Sequence, residues 1–376
     1  IMGIGTNSLG YGHPEVDAAV AQTVRDGNMS TLNCPEEVYL AERLVAMHPW
    51  AEMARFARTG GEANAIAIRI ARAATGKSKV AICGYHGWHD WYLAANLGTE
   101  NTLAGHLLPG LEPNGVPENL RGSVLTFNYN RIDELEALIS TNELGAIMME
   151  VSRNFGPEDD FLQKVRDLAT KHGIVLMFDE CTSGFRQTFG GLHKMYGVEP
   201  DMAMFGKALG NGYAITAVLG KRSVMEAAQN TFISSTFWTE RIGPTAALAT
   251  LDVMEQTKSW EIITKMGVYI TEQWQSIAKS TGIAIKTSGL PALTSFSVDS
   301  KFALEYKTLI TQEMLKKSYL AGTSVYVATV HTKEIVDRFF AELEPVFALI
   351  KECEDGRDVN ALLDGPTCSS GFKRLN

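Results

Sequence analysis

The sequence predicts an α/β protein: a large domain built on a mostly parallel sheet covered by helices, followed by a smaller C-terminal α/β domain. Three observations predict it. Short apolar runs alternate with segments of helical period through most of the chain. The runs are apolar throughout rather than alternating, the pattern of strands buried on both faces. After about residue 255 long helical patterns take over and flank only short strand-like stretches.

Taken in order, the expected strands are KVAIC (79–83), GAIMME (145–150), GIVLMFDE (173–180), MAMFG (202–206) and AITAVLG (214–220). Between them, EANAIAIRIARAATG (62–76) sets Ile66, Ile70 and Ala73 on one helical face and ends on Gly76, a natural C-cap. DDFLQKVRDLATKHG (159–173) has the same period. In the smaller domain, helices are expected over 259–280, 302–320 and 332–352, with strands around GIAIKTSG and ALTSFSV. The expected divisions are an N-terminal segment (1–30), the large domain (31–255), the small domain (256–355) and a C-terminal extension (356–376). The opening Ile-Met-Gly-Ile-Gly is neither a start methionine nor a signal peptide, and reads as the edge of a fragment.

A net charge of −9 argues against nucleic-acid and membrane-surface partners, which need a basic face. No run approaches the ~18 apolar residues of a membrane span. Cys34, Cys83, Cys181, Cys353 and Cys368 have neither metal-site nor redox spacing, which predicts free thiols in a reducing cytoplasm.

Four stretches could carry chemistry. In FGKALGNGYA, Lys207 follows an apolar strand directly. An amine held in apolar surroundings loses its proton more readily and becomes a nucleophile toward aldehydes. The plain alternative is a lysine that escapes to solvent. In IVLMFDECTSGFR, Asp179 ends a strongly apolar strand, where a carboxylate is costly unless it meets a cation or donors. The plain alternatives are a helix cap or a magnesium ligand. In RTGGEANAIAIR, Gly60 and Gly61 precede a helix, whose unpaired N–H groups and dipole suit a phosphate, although TGG is also an ordinary turn. In CGYHGWHDWY, Tyr85, His86 and Trp88 offer a flat surface to an aromatic ligand. A metal reading of His86, His89 and Asp90 is set aside, because no further ligands cluster nearby.

Each signal is weak alone. Jointly they supply what pyridoxal phosphate requires: a lysine for its aldehyde, a carboxylate for its ring nitrogen, a stacking ring and a phosphate cradle. Their placement at strand ends agrees, because ligands of such sheets sit outside the strands' carboxyl ends.

On these motifs the chain resembles the class III aminotransferases, fold type I of the pyridoxal-phosphate enzymes, and within them the glutamate-1-semialdehyde aminomutase-like branch. The resemblance runs from LGYGHPEV (9–16) to about residue 350 and includes PDMAMFGKALGNG and VATVHTKEIVDRF (326–339). It implies that Lys207 carries the cofactor as a Schiff base and moves the substrate's Cα proton, and that Asp179 pairs with the pyridine nitrogen. Tyr85, with His86 beside it, would stack on one ring face. Cys181, standing where a branched aliphatic is usual, would pack on the other. Gly60 and Gly61 would bind the phosphate. Thr236, in SSTFWTERIGP, would reach the phosphate of a neighbouring subunit, with Thr239 as the fallback. A homodimer with shared active sites is therefore implied. The sequence departs from the family at Gly61, where a hydroxyl residue is usual, and at MEVSRN (149–154), which stands for Glu-Pro-Val.

The leading expectation is an aminotransferase moving an amino group between an amino donor and an aldehyde or ketone. The alternative is an isomerase, the intramolecular glutamate-1-semialdehyde 2,1-aminomutase. The altered EVSRN segment and phosphate loop lean toward a different substrate, sugar-like or a small carbonyl compound. A catalytically silent binding protein has no need of Lys207 and Asp179. A nicotinamide dehydrogenase lacks its Gly-x-Gly-x-x-Gly.

Overall fold

The computed structural model describes residues 2–98, 102–106, 110–152 and 154–370; Arg153, in the EVSRN segment, lies outside them. Seven strands form the main sheet: β1 (Met53–Ala57), β2 (Lys79–Cys83), β3 (Val124–Thr126), β4 (Leu144–Met149), β5 (Val175–Asp179), β6 (Met202–Phe205) and β7 (Thr216–Gly220). Their order is β1-β7-β6-β5-β4-β2-β3. The pairs from β3 to β6 are parallel, and β7 runs antiparallel to both β6 and β1. The two edge strands, β1 and β3, are additions to the five runs expected from sequence.

The continuous apolar runs are explained by burial on both faces. Along β2, β4, β5 and β6, Val80, Ile82, Ala146, Met148, Met177, Met202 and Met204 turn to one side and pack under α3 (Gly60–Thr75). The alternate residues of β2, β4 and β5, among them Ala81, Ile147, Leu176 and Phe178, turn to the other side, against the helix Phe161–His172. Further along that side, Phe205, Ala217 and Leu219 meet the helix Ile242–Thr257. This two-residue alternation beneath a uniformly apolar run is the signature of a sheet with helices on both faces. α3 ends as its sequence suggested, on Gly76 in the left-handed conformation.

Beyond it, β8 (Ile285–Ser288), β9 (Leu293–Val298) and β10 (Ser324–Tyr326) form an antiparallel sheet in the order β10-β9-β8. The helices Ser259–Thr281, Ala303–Lys316 and Lys333–Glu354 cover it around a separate apolar cluster that includes Trp274, Phe296, Tyr306, Phe340 and Phe347. The tail lies against this unit, where Cys368 N donates to Thr308 Oγ1 at 2.9 Å. The N-terminal segment lies between the two sheets. Leu9 N donates to Asn211 Oδ1 at 3.0 Å, and Thr329 N donates to Ser8 O at 2.9 Å. Gly5 O meets Arg186, so this segment also reaches the strand ends where the candidate site lies.

Candidate active site

The carboxyl ends of β2, β4, β5 and β6 point the same way because these strands are parallel, and the polar residues that follow them meet there. In the β5–β6 register Asp179 lies opposite Met204, three residues before Lys207, so the chain delivers carboxylate and amine to one end of the sheet.

Asp179 is 5% exposed. Its Oδ2 accepts from Asn64 Nδ2 at 2.7 Å and His86 Nδ1 at 2.9 Å, and its Oδ1 from Cys181 N at 3.1 Å. Burial alone would raise the carboxyl pKa. These donors outweigh it and hold the group below the usual carboxylate range. Three of roughly four acceptor positions are filled. Asn64 Nδ2 also donates to His86 O at 3.1 Å, which ties α3 to the loop after β2.

Glu180, the next residue, is fully buried and pins the following loop. It accepts from Leu192 N and His193 N at 2.9 Å, His193 Nδ1 at 2.8 Å and Ser183 Oγ at 2.6 Å. His193 in turn accepts from Trp50 Nε1 at 3.0 Å.

Lys207 sits two residues beyond β6 with φ +46°, a conformation non-glycine residues adopt at a cost of about 1–3 kcal/mol. Its half-buried amine donates to Thr182 Oγ1 at 2.8 Å. Burial first, and then the Arg186 guanidinium, lower its pKa, while Cys181, Asp179 and Glu150 pull the other way. Arg186 is 1% exposed, and its hydrogen bonds among the described residues run to carbonyls, with Nε donating to Thr182 O at 2.5 Å and Nη2 to Gly5 O at 2.6 Å. It has no carboxylate partner among the described residues, and burial pushes it down to about 10. Thr182 thus joins the two cations through its hydroxyl and its carbonyl.

The start of α3 faces the same region. Thr59, its N-cap, accepts from Glu62 N at 3.3 Å through Oγ1 and from Ala63 N at 3.0 Å through its carbonyl. The N–H groups of Gly60 and Gly61 have no acceptor among the described residues, as expected of the first turn of a helix. A Cβ on Gly60 would lie 3.4 Å from Cys181 Sγ, so the thiol packs against the backbone there. Burial raises the Cys181 thiol well above its ordinary value and keeps it uncharged. Tyr85 N donates to Glu150 Oε2 at 3.1 Å, and its ring meets Tyr92 edge-on at 5.9 Å.

The structure therefore brings together Asp179, His86, Cys181, Lys207, Gly60 and the loop of Tyr85. His86 turns to Asp179, whereas His89 turns to Gly61. Thr236 is exposed and makes no side-chain hydrogen bond among the described residues. Its loop is nonetheless tied to the approach to α3: Arg58 donates to Phe237 O and pairs with Glu240 at 3.0 Å, and Arg69 donates to Phe232 O at 3.0 Å. Thr239 donates to Ser30 O at 2.7 Å. Sequence reasoning missed Asn64, Thr182 and Arg186. Asn64 carried a signal, since it follows Gly61 by three positions and so shares its helix face.

A family model described as aminotransferase class-III matches residues 1–342. The 3-aminobutyryl-CoA aminotransferase of Cloacimonas acidaminovorans (strain Evry) is 33% identical over 344 residues, 87% of this chain and 78% of that protein. A glutamate-1-semialdehyde 2,1-aminomutase of Hyperthermus butylicus is 28% identical over 380 residues, 93% of this chain and 87% of that protein. Among solved structures, a transaminase with PLP bound superposes at a TM-score of 0.82 with 23% identity, covering 93% of this chain and 86% of that one.

Proposed function

The chain belongs to the class-III aminotransferases, enzymes that transfer amino groups with pyridoxal phosphate, and from that premise we propose that Lys207 and Asp179 are its two central catalytic residues. The residues present fit the cofactor. The two orphan N–H groups of Gly60 and Gly61 suit its phosphate. The ionised Asp179, with acceptor capacity left, suits its ring nitrogen. Lys207 Nζ would hold its aldehyde carbon, and Tyr85 and Cys181 would flank the ring.

When bound, pyridoxal phosphate supplies a protonated aromatic ring that takes up the electron pair left when a bond to the substrate's amino-bearing carbon breaks. The chain's own residues do the rest. Asp179 holds a proton at the ring nitrogen, and His86 and Asn64 hold Asp179. Lys207 Nζ takes the proton from the substrate's amino-bearing carbon, a task suited to an amine that is neutral more readily than a free lysine. Thr182 Oγ1 orients that amine. The observation that carries the reading is this half-buried lysine of lowered pKa, one strand away from a buried, ionised aspartate.

The partners follow from the family: an amino donor and a carbonyl acceptor. We favour transfer between two substrates over the intramolecular aminomutase reaction, on the altered segment around Glu150. An aminomutase would turn over glutamate-1-semialdehyde with no second substrate, so a half-reaction screen with candidate amines distinguishes them. A homodimer is supported by the exposed apolar rings of Phe232 and Phe237 on the Thr236 loop. No helix among the described residues is long and apolar enough to cross a membrane. The five free cysteines favour a reducing cytoplasm.

The test is chemical. Borohydride reduction of the purified holoenzyme, followed by peptide mapping, should place the cofactor on Lys207. Lys207→Ala protein should still bind cofactor non-covalently and lose nearly all turnover. Label on another lysine would remove the assignment.

A further inference from the structure

We propose that the His89 imidazole is a third phosphate donor at the start of α3, acting through Nδ1 beside the N–H groups of Gly60 and Gly61. The inference rests on the reading of those glycines as the cofactor's phosphate cradle.

The geometry begins at Gly61. A Cβ built there would lie 2.8 Å from both Nδ1 and Cε1 of His89, so the ring fills the space that a side chain at 61 would enter. In a helix the Cα–Cβ bond leans toward the N-terminus, the direction in which the unpaired N–H groups also point. The edge of the imidazole that carries Nδ1 therefore stands at Gly61, on the N-terminal side of α3. Nδ1 itself is buried and has no hydrogen-bond partner among the described residues. A buried ring nitrogen left unpaired calls for an explanation, because native interiors pair such atoms. Phosphate oxygens supply an acceptor, and either the Nδ1–H tautomer or the imidazolium donates to it.

The surroundings hold the ring in that position. Gly87 has φ +105°, and a Cβ there would come within 2.9 Å of Gly61 Cα, so only glycine lets the loop approach α3 this closely. Trp88 stacks on the imidazole with ring centroids 4.8 Å apart. Tyr92 N donates to His89 O at 2.9 Å, which anchors the backbone at the start of the next short helix. Glycine at 61 and histidine at 89 thus form one device: the small residue makes the room and the ring supplies the donor.

The test measures binding rather than turnover. Dissociation constants of pyridoxal phosphate and of pyridoxal, which lacks the phosphate, are measured by equilibrium dialysis on wild type, His89→Ala, His89→Asn and the double variant Gly61→Ser/His89→Ala. The constant for pyridoxal divided by that for pyridoxal phosphate isolates the phosphate's share. His89→Ala should lower that ratio by roughly ten- to a hundredfold, as expected when a hydrogen bond to a charged group is lost. His89→Asn, which keeps a donor near the position of Nδ1, should retain more of it. The double variant should recover part of the loss, because a serine hydroxyl can now enter the vacated space. Gly61→Ser alone should collide with the ring and melt lower. An unchanged ratio in folded His89→Ala protein overturns the proposal, as does equal weakening of both ligands. A wild-type ratio near one overturns the phosphate cradle and the His89 proposal together, so the two failures are distinguishable.

Discussion

His86 and Asp179 form a buried pair, with the ring Nδ1 2.9 Å from the carboxylate Oδ2, and His86 Nε2 is buried with no partner among the described residues. Since the carboxylate can only accept, Nδ1 carries the proton. The pair is braced by Asn64 from α3, so an aspartate at the end of β5 is gripped by the loop after β2 and by a helix on the sheet's face. Such bracing holds a charge in place where burial would otherwise neutralise it.

Asp179→Asn keeps this shape and removes the charge. The variant should fold and bind cofactor, while turnover falls by about two to three orders of magnitude or more, the scale seen when a preorganised electrostatic partner is lost. The acid limb of stability should change as well. A carboxylate with a depressed folded pKa contributes stability that is fully present above its unfolded value, about 4, and is lost as pH falls through the lower folded value. Melting curves below pH 4 should therefore be flatter for Asp179→Asn. Unfolding of the variant with full activity in its folded remainder would make Asp179 a structural cap instead.

What could be read from the sequence follows from how local each signal is. Asp179 and Lys207 stood out because each ends an apolar run, and the parallel strands carry both to one edge. The Gly60–Gly61 start of α3 was legible for a similar reason, as a glycine pair before a periodic segment. β1 was not legible. It mixes half-buried Met53 and Arg55 with buried Phe56 and Ala57, and its identity as a strand comes from its register with β7. β3 spans only three residues. Thr182 and Arg186 lie in a loop whose partners, Lys207 and Gly5, come from distant parts of the chain. No spacing rule announces them. The His89–Gly61 contact is likewise tertiary, although the departure at Gly61 marked the place.

His48 should set a second pH dependence, away from the site. Its Nδ1 donates to Leu44 O at 2.9 Å and its Nε2 accepts from Gly191 N at 3.0 Å, an arrangement only the neutral ring can make. Burial pushes its pKa down to about 4. Between the unfolded value near 6.5 and this folded value, the unfolded chain binds the extra proton, so stability is full above about pH 6.5 and declines toward pH 4. The decline amounts to about 3 kcal/mol, to order of magnitude. Thermal melts should show it in wild type, and His48→Gln should flatten that window while lowering stability at neutral pH. An equally steep decline in His48→Gln would assign the effect to other groups.

The last prediction concerns the partner subunit. Thr236 is exposed in the single chain, on a loop that Arg58 and Arg69 tie to α3 and its approach, and the apolar rings beside it are uncovered. If that loop crosses to a second copy, each cofactor is held by Lys207 of one subunit and Thr236 of the other. Cofactor binding would then be linked to association, because a ligand that binds only the dimer stabilises it by mass action. Adding pyridoxal phosphate should shift a monomer–dimer equilibrium toward dimer in analytical ultracentrifugation. Mixing separates the shared site from a self-contained one. Thr236→Ala homodimers should lose about tenfold in cofactor affinity, consistent with one lost hydrogen bond to a charged group. When Lys207→Ala and Thr236→Ala subunits exchange, one site of each heterodimer carries both lesions and the other carries neither. The second site should bind and react like wild type, so activity at limiting cofactor should rise above that of either parent. If exchange is demonstrated by mass-tagged subunits and no such rise occurs, Thr236 serves its own subunit's cofactor or none, and the shared-site arrangement is wrong.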